Sequence, residues 1–172
     1  MRSRFFIFVL LLCAVVPAYT QDEKKPRTEA DYRQRTLLEL TTLQPDYLGR
    51  DTHNKDPNLR VVIHGDLLPS RVKVRYDGTT RPLVGNKKYV ITEWAKQYAG
   101  APEFYTAPYQ TEMLFTEDNE SYWLAVRKDS LKQFKQELKK GDKVELFLIK
   151  MGNAYLENKL EPVLLVEKLV KL

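Results

Sequence analysis

Residues 139–172 read KKGDKVELFLIKMGNAYLENKLEPVLLVEKLVKL. Two runs inside this stretch, Val144 to Ile149 and Val163 to Val166, are apolar apart from Glu145 in the first. A strand with one wet face alternates apolar and polar residues, so such runs imply strands covered on both faces. Gly152-Asn153 between the runs is a turn signal, and Pro162 restricts the entry to the last strand. Strands of this composition belong to a core and are poor places for polar chemistry.

Working upstream, KDSLKQFKQELKKGD (128–142) carries Leu131, Phe134 and Leu138 on one helical face, with lysines over the rest. Asp129 or Ser130 is the expected cap, and Gly141 the stop. EMLFTEDNESYWLAV (112–126) is two apolar runs around an acidic turn, the pattern of a hairpin. RVKVRYDG (71–78) alternates, with Val72, Val74 and Tyr76 on one face and Arg71, Lys73 and Arg75 on the other; Asp77-Gly78 is expected to end the strand. GNKKYVITEWAKQYAG (85–100) shifts to helical spacing, with Val90, Ile91, Trp94, Ala95 and Tyr98 on the buried face and Asn86 as the cap. Val61 to Ile63 adds a short strand, and Tyr32 to Leu40 a short helix before Pro45.

Read from Glu112, the order is strand, strand, helix, strand, strand; with one of the earlier strands added it becomes three strands, a helix, two strands. That order resembles an OB-like small barrel, in which a helix plugs one end of a short closed sheet. The expected class is α+β with a mainly antiparallel sheet; an open antiparallel sheet with two helices packed on it would give much the same order. The resemblance concerns fold and does not imply a function.

The first residues read differently. Arg2 and Arg4 precede an apolar run from Phe5 to Val16, which Pro17 and small residues follow. This is the pattern of a secretory signal, and the run is shorter than the roughly 20 residues a spanning helix needs. The organisation expected is a signal peptide at 1–20, a flexible leader at 21–35 and a single α+β domain at 36–172. The destination is periplasmic or secreted. Cys13 lies inside the apolar run and is the chain's single cysteine, so the mature protein has neither a disulfide nor a thiol nucleophile. Without Arg2 and Arg4 the 28 basic residues drop to 26 against 23 acidic ones. So weak a field does not argue for nucleic acid.

Candidate chemistry is sparse. Asp51, His53 and Asp56 lie close together but miss the calcium-loop pattern, so no metal is expected. His64 and Asp66 flank a glycine, with no nucleophile elbow or zinc-protease motif anywhere in the chain. No cofactor motif is present. Glu93, Glu103 and Glu112 are the carboxylates from which a glycan hydrolase would have to be built. The aromatic loop is richer: Phe104, Tyr105 and Tyr109 lie between Pro102 and Gln110, and Trp123 follows on the hairpin. Flat rings stack on sugars and bond through their polar edges. Arg71, Lys73 and Arg75 form a basic stripe suited to an acidic polymer.

The reading favoured by these residues is a non-catalytic envelope binding module. Its expected ligand is an envelope glycan, met through Phe104, Tyr105, Tyr109 and Trp123, or another envelope protein. The alternatives are a small carboxylate-dependent glycan hydrolase and an adaptor that offers an edge strand.

Overall fold

A computed structural model describes residues 27–42, 61–63, 67–100, 103–156 and 159–172. After a 3-10 turn at Glu29–Asp31 come β1 (Arg33–Gln34), α1 (Leu37–Thr42), β2 (Val61–Ile63), β3 (Ser70–Pro82), α2 (Gly85–Tyr98) and α3 (Glu103–Thr106). They are followed by β4 (Tyr109–Glu117), β5 (Glu120–Arg127), α4 (Lys128–Glu137), β6 (Lys143–Leu156) and β7 (Lys159–Lys171). No helix among the described residues is long and apolar enough to cross a membrane.

The sheet closes in the order β3-β4-β5-β7-β6, and β3 then pairs again with β6. β2 joins β6 from outside the ring, and the two-residue β1 lies parallel to β3. All pairs within the ring are antiparallel except β5–β7, where Ala125 meets Leu165 and Val126 meets Val166 in parallel. With α4 between the third and fourth strands of the ring, this is the small α+β barrel that the element order implied.

Alternation sorts the side chains. Val72, Val74, Met113, Phe115, Leu124, Val126, Leu146, Leu148, Leu164 and Val166 fill the barrel interior. Phe134 from α4, Leu138 just after it, and Leu37 and Leu40 from α1 join this cluster. A second cluster forms on the outer surface. There α2 lays Val90, Ile91, Trp94 and Ala95 over Ala125, Ile149, Met151, Val163 and Leu165. The apolar runs of the terminal strands are therefore covered on both faces, as their composition required.

Several boundaries differ from the sequence expectation. Asp77-Gly78 does not end a strand. The register with β4 shifts between Tyr76 and Thr80, so the pair forms a bulge and β3 continues to Pro82. Gly78 has φ +95°, and a β-carbon there would meet Lys140 Cβ at 3.2 Å. Tyr76 bonds the passing chain twice, its N–H to the Asp142 carbonyl and its carbonyl from the Gly141 N–H. Gly152-Asn153 likewise lies within β6, opposite Val163 and Pro162, where a second bulge absorbs the irregularity. The true hairpin turn is Asp118-Asn119, with φ of 48° and 78°, the doubly left-handed geometry of a two-residue loop. Helix α2 starts at Gly85 with Val84 at its cap, and α4 follows Arg127 with no side-chain cap bond, so neither Asn86 nor Asp129 or Ser130 takes the expected role.

Residues 27–35, expected within a flexible leader, pack on the barrel. Tyr32 is buried: its ring meets Phe147 edge-on at 5.2 Å, and its hydroxyl donates to Glu167 at 2.6 Å. A lone aromatic in a polar stretch is the anchor here, and Arg27 adds an ion pair to Glu167 at 2.8 Å. Residues 1–20, with the proposed signal, and 21–26 lie outside the described residues.

Candidate functional site

The basic stripe becomes a site because of where β3 changes neighbours. Residues Ser70 to Arg75 pair with β6, and from Arg75 onward β3 also pairs with β4. At this junction a cleft of about 850 Å³ opens. Lys73 and Arg75 line it from β3, Lys143 from the start of β6, and Thr116 to Asn119 from the tip of the β4–β5 hairpin.

Its electrostatics are unusual for a sheet surface. Arg75 and Lys143 are direct cross-strand partners. Like charges directly opposite each other destabilise a sheet. Neither cation nor Lys73 has an ion pair among the described residues, although Glu145 stands opposite Lys73 in register. Arg75 bonds the Gly141 carbonyl, at 3.3 Å. Arg71 does not share the cleft. It lies in register with Phe147 and Gln34, beside β1, and its Nε is buried with no hydrogen-bond partner among the described residues.

Glu117 ties the cleft to the barrel end. One of its carboxylate oxygens accepts the N–H groups of Leu37 and Leu38 at 2.6 and 3.2 Å. These are donors that the first turn of any helix leaves unsatisfied. Thr36 and Glu39 close the same turn reciprocally, hydroxyl to N–H and carboxylate to N–H. Burial pushes the Glu117 carboxyl above its usual range, against the opposing pull of the Leu38 and Leu37 N–H groups. At the other end of α1, the buried Lys150 Nζ donates to the Leu40 carbonyl at 2.6 Å, and burial lowers its pKa to about 8.

The aromatic residues separate. Phe104, on α3, is 75% exposed. Tyr105 is half-buried, its ring edge-on to Trp94 at 5.2 Å. Tyr109 does not belong to an exposed surface. It is 3% exposed in the outer cluster, with its hydroxyl turned to the Val166 carbonyl, because β4 begins at this residue rather than beyond it. Burial pushes its hydroxyl pKa up. Trp123 is half-buried, and the Arg81 guanidinium lies 4.2 Å over its ring, covering it. Tyr98, expected on the buried helix face, is 42% exposed, because the last turn of α2 runs past the sheet; it still tilts against Trp94 at 5.5 Å.

Glu112, one of the carboxylates considered for hydrolysis, is fully buried in a charge cluster that the sequence did not reveal. It accepts from Lys87 Nζ and Arg81 Nε, each at 2.7 Å. Lys87 also pairs with Glu161 at 2.9 Å and donates to the Trp123 carbonyl at 3.3 Å. This cluster fastens the start of α2 to β3, β4 and β7. A carboxylate held between two cations is not placed to move protons for a substrate. Glu93 pairs with Lys96 one turn on, and Glu103 is exposed on α3. His53, His64, Asp51, Asp56 and Asp66 lie outside the described residues. Among the described residues no cluster of His, Cys, Asp or Glu could hold a metal ion.

Thr116, Asn119 and Lys143 were not singled out from the sequence. Lys143 reads there as one more lysine after a helix, and only the β3–β6 register places it against Arg75. Searches against protein-family models and against curated proteins find no match to this chain.

Proposed function

We propose that this chain is an exported, non-catalytic binding module of the cell envelope, and that it takes an acidic envelope glycan in the cleft between β3, β6 and the β4–β5 hairpin. The single observation that carries the reading is the Arg75–Lys143 neighbour pair, without an ion pair among the described residues, with Lys73 two residues along the same strand face. A like-charge pair that costs stability and closes on no carboxylate among the described residues is explained by a partner outside the chain. Export is supported by Arg2, Arg4 and the apolar run from Phe5 to Val16. The locked Glu112 speaks for binding over the hydrolase alternative. The aromatic loop has a smaller part than expected, since Phe104 and Tyr98 alone of its neighbourhood offer an open ring among the described residues.

The test is calorimetric titration with an oligosaccharide alternating glucuronate and N-acetylglucosamine, against a neutral chitin oligomer of equal length. The acidic oligomer binds, its affinity falls with added salt, and Arg75→Ala with Lys143→Ala weakens it about tenfold. Equal affinity for the acidic and neutral oligomers refutes the reading.

A further inference from the structure

We propose that the cleft selects a zwitterionic glycan, one that carries free ammonium groups beside its carboxylates; this deepens the reading above and rests on it. The observation is that charges of both signs share the cleft without closing on one another. Lys73, Arg75 and Lys143 supply three cations, and Glu117 and Asp118 two carboxylates. Oppositely charged side chains in one cleft ordinarily meet as ion pairs. Here none of these five is within 4.0 Å of an opposite charge among the described residues.

The fold enforces the separation. The cations stand on β3 and the first residue of β6, both rigid elements of the ring. Glu117 cannot swing toward them, because one of its oxygens is held by the Leu37 and Leu38 N–H groups. The Asp118 backbone is set by the left-handed turn, φ 48°. A polymer bearing carboxylates alone would be drawn by three groups and repelled by two. A ligand bearing both signs can satisfy all five, and an ammonium beside Glu117 would supply a counter-charge to that half-buried carboxyl. Thr116 and Asn119, on the same wall, offer the hydroxyl and amide that sugar hydroxyls bond.

The experiment compares the glucuronate–N-acetylglucosamine oligomer with the same oligomer after removal of its acetyl groups, titrated into the full chain at pH 6.5 and low salt. The backbone is unchanged; only acetamide becomes ammonium. The free-amine form is expected to bind about tenfold tighter. Asp118→Asn keeps a residue that accepts the left-handed turn and should shrink that preference several-fold. Equal or tighter binding of the acetylated oligomer overturns the zwitterion inference and leaves the acidic-glycan reading standing. A preference untouched by Asp118→Asn also overturns it. If neither oligomer binds better than neutral chitin, the cleft reading falls and the inference falls with it.

Discussion

Lys150 offers the sharpest test of how this barrel is closed. Its side chain is fully buried at the barrel end, and its ammonium donates to the last turn of α1 at the Leu40 carbonyl. Burial brings its pKa from 10.5 down to about 8. The unfolded chain therefore holds this proton more tightly than the folded one between those two values. Stability rises with pH wherever the unfolded state binds more protons, so this lysine's contribution is fully present above 10.5 and is lost as pH falls through 8. Each step of one in pH between those values is worth about 1.4 kcal/mol. Integrated from pH 7 to pH 10, the wild-type protein should gain roughly 2 kcal/mol from this group alone. Lys150→Met keeps the apolar stem, removes the titration, and loses the hydrogen bond to the Leu40 carbonyl, worth about 1 kcal/mol at every pH. Urea denaturation of both proteins at a series of pH values across this range isolates the effect, since every other group titrates alike in the two. The wild-type curve should climb relative to the variant above pH 8, and near neutrality the variant should equal or exceed the wild type. Parallel curves across that window would show that the ammonium is not desolvated, and the account of α1 as fastened to β6 by a buried cation would be wrong.

Two further outcomes follow from the outer surface. Glu112→Ala removes the carboxylate between Lys87 and Arg81 and leaves a cation that is 2% exposed with Glu161 as its remaining anion among the described residues; thermal or chemical denaturation should show a loss of about 3–5 kcal/mol. The combined change Lys87→Met with Glu112→Leu should restore much of it, and no restoration would mean the cluster acts through geometry rather than charge. In the aromatic loop, Phe104→Ala should leave the melting temperature unchanged, whereas Tyr105→Ala, which strips a ring from Trp94, should lower it by several degrees. Equal effects would contradict the assignment of one ring to the surface and the other to packing.

Much of this fold is legible from local periods. Alternation at Val72, Val74 and Tyr76, helical spacing at Val90 to Trp94, and the two largely apolar runs within 144–166 each report how one segment meets its immediate surroundings, because side-chain direction repeats every two or 3.6 residues. Those signals set most elements and their order, which suits a small barrel and an open antiparallel sheet alike. They were silent on turns such as Asp77-Gly78 and Gly152-Asn153, where the same residues serve a bulge as readily as a reversal. What joins residues distant in sequence was decided by the tertiary structure alone. The parallel β5–β7 contact closes the ring, the β3–β6 register sets Lys143 against Arg75, and α2 folds back to bury Lys87 between Glu112 and Glu161. A charge carries no period, so the chain's own pattern could mark Arg71, Lys73 and Arg75 as one stripe but could not say that two of them would share a cleft while the third lay beside β1.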